Sequence, residues 1–138
     1  MANGLYQKWK ENLLQATTYY PLTGTVKAAL VGAGYTQNFA TDQYWSVGGT
    51  AGPLASVVGT PVTLGSKTYT LGVLGAANTT FSAVASGTAA KIVLYVDTGT
   101  AATSPLVACI DTGVTNLPVT GNGGDITIAW NGSGIFAL

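Results

Sequence analysis

Two Asp-Thr-Gly triplets are the parts of this 138-residue chain whose residue types suggest chemistry. Asp97 opens the first triplet, directly after the apolar run 91–96, and Asp111 opens the second triplet fourteen positions later. Two carboxylates held about 3 Å apart cannot both ionise, so such a pair shares one proton and acts as both acid and base. Acid–base chemistry by a carboxylate pair is therefore the first activity to weigh.

The run Val96-Asp97-Thr98-Gly99 resembles the active-site loop of aspartic proteases. The second triplet follows too closely to belong to a second lobe of one enzyme, which leaves a retropepsin-like homodimer. Asp-Thr-Gly is also favourable turn chemistry after a strand, because Asp accepts backbone N–H bonds and Gly takes positive φ. A three-residue motif also matches by accident. We therefore predict turns and no enzymatic activity, with the protease kept as an alternative.

The composition removes several other kinds of chemistry. The chain contains no His, which excludes imidazole acid–base catalysis, imidazole metal ligands and Ser-His triads. Its one cysteine, Cys109, cannot form a disulfide within the chain and is interpreted as a small apolar strand residue. Five cations balance five anions without a basic stripe, so no nucleic-acid partner is expected. No apolar run reaches the ~18 residues of a membrane span, so no membrane partner is expected either.

Asp125 follows Asp111 at the same spacing of fourteen residues. Three carboxylates with neighbouring carbonyl groups would suit Ca²⁺, which takes oxygen ligands. The spacing matches neither an EF-hand nor a Gly-rich nonapeptide repeat, so a solvated turn is favoured for each Asp, and no metal or cofactor is predicted. The even spacing instead predicts that consecutive strands of one antiparallel sheet begin or end at these acids.

The stretch 91–130 contains three runs rich in Val and Ile, separated by Gly, Thr, Pro and Asn, as is typical of strands joined by turns. The run 91–96 is apolar on both faces, which predicts a central strand. A short helical turn capped by Thr41 is predicted over 41–45. Many short strands with Gly-rich turns predict a mainly β protein, an antiparallel β-sandwich or barrel. The other predicted strands are 25–31, 57–64, 67–70, 79–84, 106–111, 126–130 and 135–138.

Leu5, Trp9 and Leu13 recur at four-residue intervals in the segment 4–16. This apolar stripe predicts one N-terminal amphipathic helix with Asn3 as its N-cap. The stripe would dock either on the chain's own sheet or on a neighbouring subunit.

The predicted organisation is a single domain, residues 1–138, made of an N-terminal helix or arm, 1–17, and a β body, 24–138. Charged residues are 7% of the chain, against about 25% in an ordinary soluble domain. A lone monomer with so few charges would be poorly protected against association. We therefore expect much of the surface to be hidden in an assembly.

Aromatic and apolar residues in the first third of the chain are the candidates for docking on a partner. Exposed apolar side chains mark interaction sites, and Trp and Tyr are the residues that anchor them. On this reasoning the predicted interface residues are Trp9, Leu13, Tyr44 and Trp45. The same aromatic residues, together with Asn and Gln, leave a carbohydrate-binding module as an alternative.

Stretches at both ends and in the middle of the chain resemble a group of small virion structural proteins of tailed bacteriophages and prophages. The resemblance covers nearly the whole length and is weakest over residues 47–90. The stretches that carry it are Met1–Lys8, Ala29–Val31 with the following Tyr35, Thr36 and Asn38, Asp97–Leu106, Leu117–Thr120, Asn122–Ile126, Trp130 and Ile135–Leu138.

The resemblance implies a structural role in the virion, which is assembled in the host cytoplasm. Within that role the expectation is a capsid decoration, or cement, protein on the outer face of the head. Its expected partners are the major capsid protein and other copies of itself, with a trimer as one arrangement. A tail or neck component is the alternative within the virion. The alternatives of another class are the retropepsin-like protease and a surface carbohydrate-binding module.

Overall fold

A computed structural model describes residues 3–15, 22, 24–47, 52–114 and 116–138. Within these residues the chain is mainly β, with eleven strands in antiparallel sheets and one α-helix near the N-terminus, which confirms the predicted fold class. The helix α1 is Gln7–Gln15. The strands are β1 (Gly4–Leu5), β2 (Val26–Val31), β3 (Val57–Thr63), β4 (Val73–Leu74), β5 (Thr79–Phe81), β6 (Thr88–Ala89), β7 (Lys91–Val96), β8 (Leu106–Ile110), β9 (Val119–Thr120), β10 (Ile126–Ile128) and β11 (Phe136–Ala137).

The largest sheet has five strands in the order β1-β8-β7-β2-β3, each antiparallel to its neighbours. Strand β7 lies between β8 and β2, and all six of its residues are buried. A strand that is apolar on both faces needs cover on both faces, which the centre of a sheet provides. The predicted central position of 91–96 is therefore confirmed.

One face of this sheet forms the sandwich core. Leu30 of β2 and Leu94 of β7 cluster there with Phe81, Ile128 and Leu74. These last three residues come from two small antiparallel sheets, β5 with β10 and β4 with β11. Apolar side chains of two facing layers therefore enclose this core, which is the arrangement of a β-sandwich.

The opposite face of the sheet forms a second core, which is covered by loops. Val93 and Tyr95 of β7 cluster there with Tyr6, Tyr35 and Trp45. Tyr6 comes from the N-terminal arm, and the other two aromatic residues come from the segment between β2 and β3. The arm and this segment thus take the place of a second sheet on this side.

The three evenly spaced Asp residues do not belong to strands of one sheet. Strands β7 and β8 pair with each other, but β10, which follows Asp125, pairs with β5 in the other layer. The prediction of a single sheet is wrong on this point. Buried and exposed residues alternate in β10, whereas every residue of β7 and β8 is buried. Strand β10 therefore has one face towards the core and one towards solvent.

The N-terminal arm begins as a strand and continues as the helix. Gly4 and Leu5 pair with β8 as β1, so the helix starts at Gln7, later than predicted. Asn3 does not cap the helix, and its side chain bonds to residues after β8 instead. Trp9 lies in the sandwich core with Leu13 packed against it, so the stripe docks on the chain's own sheet. The predicted last turn, 16–17, lies outside the described residues.

Helix α1 has nine residues, and within the described part of the chain no helix is long and apolar enough to cross a bilayer.

Two local predictions differ from the structure. The helical turn over 41–45 is wrong, because the backbone N–H of Asp42 bonds to the Asn38 carbonyl and Tyr44 then bridges to Pro105 in an extended conformation. The strand over 67–70 is also wrong, because only Thr68 pairs there, in an isolated bridge to Gly75. The C-terminal run pairs as predicted, since β11 bonds to β4.

Candidate interaction surface

The two Asp-Thr-Gly triplets lie at opposite ends of the central sheet. Strands β7 and β8 are antiparallel, with Ile92 opposite Ile110. Asp97 follows the end of β7 and Asp111 follows the end of β8. A six-residue strand spans roughly 20 Å, so the two carboxylates of one chain are too far apart to share a proton.

Asp97 is part of a closed turn beside a cation. Its Oδ2 lies 2.8 Å from the Lys27 Nζ, and its Oδ1 accepts the Gly99 N–H at 2.9 Å. The hydrogen bond from Lys27, and after it the one from Gly99, holds the pKa of Asp97 below its usual range. A carboxylate held in its ionised form by a cation is a poor proton donor. The arrangement supports the turn interpretation over the retropepsin-like one.

The second triplet anchors the N-terminal arm. The Asn3 side-chain oxygen accepts the backbone N–H of Asp111 at 2.8 Å and that of Thr112 at 3.1 Å. The Asn3 side-chain nitrogen donates to the Thr112 carbonyl at 3.0 Å. This reciprocal set joins residues that are 109 positions apart and ties the arm to the end of β8.

A chain of buried hydroxyl groups joins the arm to the loop-covered core. The hydroxyls of Tyr6 and Tyr35 are 2.7 Å apart, and Tyr35 donates to the Asp42 carboxylate at 2.7 Å. Burial is the first cause that raises the pKa of both tyrosines above the ordinary value. Both phenols therefore stay neutral at physiological pH. Their role is to hold the arm and the 35–42 segment on the sheet.

Lys91 is buried at the start of β7 and anchors the same segment. Its Nζ donates to the Tyr35 carbonyl at 2.7 Å and to the Gln37 side-chain oxygen at 2.8 Å. Lys91, Thr36 and Asp111 also line an open cavity of about 420 Å³. The Asp111 carboxylate accepts no hydrogen bond from the described residues. Lys91 therefore serves the loop segment and not the second triplet.

The predicted interface residues divide into two groups. Trp9 is 1% exposed and Trp45 is 4% exposed, so the expectation that the tryptophans lie on the surface is wrong. Trp45 stacks on Tyr95 with ring centroids 4.5 Å apart. Leu13 and Tyr44 are half-buried. Large aromatic residues contribute more apolar area to a core than any other side chain, and here the two cores take both tryptophans.

Among the described residues, five other large apolar side chains are exposed. Three of them belong to backbone segments that lie side by side, because the Leu138 N–H bonds to the Gly72 carbonyl at 3.0 Å and Tyr69 and Leu71 precede Gly72 in the chain. We call Tyr69, Leu71 and Leu138 the Leu71 surface. The five exposed fractions are 88% for Leu14, 59% for Val47, 42% for Tyr69, 96% for Leu71 and 69% for Leu138.

The backbone of Leu71 is left-handed. Its φ is 54° and its ψ is 35°, and Gly72 follows with φ 77°. Glycine takes this conformation freely, whereas a branched side chain makes it strained. The side chain that causes the strain is almost fully exposed, so contacts within the chain do not compensate for it.

A groove of about 600 Å³ adjoins the Leu71 surface. Its walls are the loops 66–77 and 130–134, with Leu71 on the rim and Trp130 and Val73 among the apolar residues. Among the described residues that line it, none is charged. We call this the Trp130 groove. Its size suits one or two aliphatic side chains of a partner.

The sequence pattern did not point to Leu71. The stretch after it reads as small and turn-prone, and neither helical nor alternating periodicity marks the residue. The sequence feature that could have identified Leu71 is a large apolar residue directly before Gly in a turn, where buried or polar residues are the norm. The backbone bond between Leu138 and Gly72, 66 positions apart, has no trace in local sequence.

The fold and surface define a mainly antiparallel β protein whose Asp-Thr-Gly loops are turns and which exposes Leu71 on the rim of a groove whose described lining is uncharged. No protein-family model, curated protein or solved structure matches this chain.

Proposed function

We propose that this chain is a structural protein of a tailed-bacteriophage virion, a capsid decoration protein that binds the outer head surface and stabilises the shell. The observation that carries the proposal is the Leu71 surface with its uncharged groove on a nearly uncharged β body. The sequence resemblance to small virion structural proteins supplies the class of particle.

Apolar surface of this kind suits a protein that works by burying area. Leu71 is 96% exposed and Leu138 is 69% exposed on adjacent backbone segments, and Leu14 is 88% exposed on α1. Contiguous exposed apolar residues mark binding sites in soluble proteins. A subunit that ties capsomers together needs contacts both with the shell and with its neighbours. Apolar side chains on two separate elements would serve both contacts.

The geometry of the carboxylates also favours a structural role over the protease. Asp97 is paired with Lys27, and Asp111 lies at the other end of the sheet. Their loops close turns and anchor the arm. One chain does not bring these two carboxylates together, and the cation beside Asp97 holds it ionised, which disfavours the shared proton that a homodimeric carboxylate pair requires.

The test is the copy number of the chain in purified particles, measured by quantitative mass spectrometry against the major shell protein. A decoration protein is expected at a ratio near one copy per shell subunit. A ratio of a few copies per hundred shell subunits would instead place the chain in the tail or neck. Complete absence from particles would overturn the virion role.

A second measurement addresses the stabilising activity. Shells that carry the chain are expected to release their contents at a higher temperature than shells stripped of it, because area buried across subunit boundaries must be exposed before the shell opens. Adding back a Leu71→Asn variant and a Leu14→Gln variant separately would show which apolar element the stabilisation of the shell requires. Equal thermal release with and without the chain would contradict the cement role.

A further inference from the structure

Leu71 combines two unfavourable features in the isolated chain. Its backbone lies in the left-handed region, and its side chain is 96% exposed. A strained conformation persists where the surroundings or a function requires it. The turn itself would be satisfied by Gly or Asn at this position, so the Leu side chain is what needs a partner.

The Leu71 surface has both a projecting side chain and a recess beside it. Leu71 projects from the rim of the Trp130 groove, and the groove beside it is open, partly apolar and about 600 Å³ in volume. When a projecting residue and a recess adjoin on one patch, a two-fold axis between two copies brings each residue to the other copy's recess. Such an interface is self-complementary and closes at two subunits.

We infer that the Leu71 surface and the Trp130 groove form the binding site for a second copy of this chain, with Leu71 of each copy seated in the groove of the other. The inference rests on the proposed function, because it takes the Leu71 surface as an interface. It adds that the partner at this surface is a second copy of the chain.

The absence of charge favours a second copy over a strongly charged partner. None of the described residues that line the groove is charged, and the chain carries five cations and five anions in all. A nucleic acid or a strongly charged protein finds no counter-charge here, and burying its charges against an uncharged wall would be unfavourable. A second copy presents the same uncharged surface, and two copies of net charge zero do not repel each other.

The test uses the purified full chain without any shell. Sedimentation equilibrium from micromolar to high-micromolar concentration is expected to show a monomer–dimer equilibrium. Leu71→Asn is expected to weaken the dimer about tenfold or more, because a side chain at the centre of a small interface carries much of its affinity. The variant should melt at the same temperature as wild type or higher, because Asn tolerates the left-handed backbone.

Two further variants make the test specific. Ser133→Trp fills the groove from an exposed position on its wall and is expected to weaken the dimer as much as Leu71→Asn does. Leu14→Gln removes a similarly exposed leucine from helix α1 and is expected to leave the dimer unchanged.

A chain that stays monomeric at high-micromolar concentration would overturn the inference, as would a dimer that survives both Leu71→Asn and Ser133→Trp. A monomeric chain found in hundreds of copies per particle would refute this inference and leave the virion role standing. A dimeric chain that is absent from particles, with dimerisation lost in both variants, would support the inference and remove the virion role.

Discussion

The Lys27 ammonium lies 2.8 Å from the Asp97 carboxylate, between the first residues of β2 and the turn that follows β7. The two strands are neighbours in the sheet, with Lys27 opposite Tyr95. Asp97 is the residue with the strongest resemblance to a catalytic carboxylate. Its pairing with a cation on the adjacent strand accounts for it as a structural residue.

The Lys27–Asp97 pair predicts a small acid sensitivity. The pKa of Asp97 is lower in the folded chain than the ordinary 3.8, so the unfolded chain binds more protons near that pH. The stabilisation is complete above about pH 5 and is lost as the pH falls through the folded-state pKa. Its size is ~0.2–1 kcal/mol, because the side chains of Lys27 and Asp97 are 30% and 23% exposed.

The measurement is a double-mutant cycle of Lys27→Met and Asp97→Asn, with the free energy of unfolding determined at neutral pH and below pH 4. The coupling is expected to shrink at the lower pH. Asp125→Asn is the control, because Asp125 also accepts a backbone N–H, that of Ala83, without an ion pair among the described residues. A coupling that grows on acidification would contradict the assignment.

The buried tyrosine pair predicts a larger effect on stability. Tyr35→Phe removes the group that contacts both Tyr6 and Asp42, and it leaves the buried Tyr6 hydroxyl without that partner. The expected cost is about 1–3 kcal/mol in the free energy of unfolding, measured by denaturant titration. Tyr44→Phe is the matched control, because the Tyr44 hydroxyl is only partly buried and, among the described residues, bonds to Gln43 alone. Equal costs for the two variants would refute the buried network.

The Asn3 anchor predicts a local loosening of the arm. Asn3→Ala removes the bonds to Asp111 and Thr112 and is expected to cost about 1 kcal/mol. Hydrogen exchange should accelerate at the backbone amides of β1 before it does so in β7. Asn122→Ala serves as the control, because its side chain bonds only within its own turn, to Gly124. Unchanged protection of β1 in Asn3→Ala would show that the sheet pairing alone holds the arm.

Cys109 is expected to be unreactive while the chain is folded. It is fully buried, and burial, as the largest cause, raises its pKa to about 11. The thiolate is the reactive form, so a thiol reagent at about pH 8 should label the folded chain very slowly and the unfolded chain completely. A Ser86→Cys variant, with its thiol at an exposed position, should accept one equivalent without denaturant. Rapid labelling of folded wild type would show that β8 opens readily.

Several elements follow from sequence because a local pattern specifies them. Strand β7 was predicted from a run that is apolar on both faces, and β8 from an apolar run after Pro105. The amphipathic helix was predicted from the Leu5, Trp9 and Leu13 stripe, though not its first residue, since pairing with β8 competes for Gly4 and Leu5. The spacing of apolar residues along the chain indicates which side chains are buried. Strands β7 and β8 and helix α1 all bury apolar side chains, so this spacing predicts them.

The candidate interaction surface was not predictable in the same way. Residue type predicts that Trp9 and Trp45 lie on the surface, whereas the structure buries both and exposes Leu71 and Leu138. Aromatic residues serve equally as core and as interface, so residue type alone does not decide between the two. Only the packing of the two layers shows which side chains are left outside.

The sequence by itself determined that the chain is mainly β, that its centre is the run 91–96, that an amphipathic helix lies near the N-terminus and that imidazole chemistry is impossible. The tertiary structure decided which strands pair, that the two Asp-Thr-Gly loops lie at opposite ends of one sheet, and that Leu71 lies exposed on the rim of a groove. The reason is physical. Strand formation depends on neighbours in the chain, whereas sheet order and exposed surface depend on contacts between residues far apart in sequence, which the whole fold selects together.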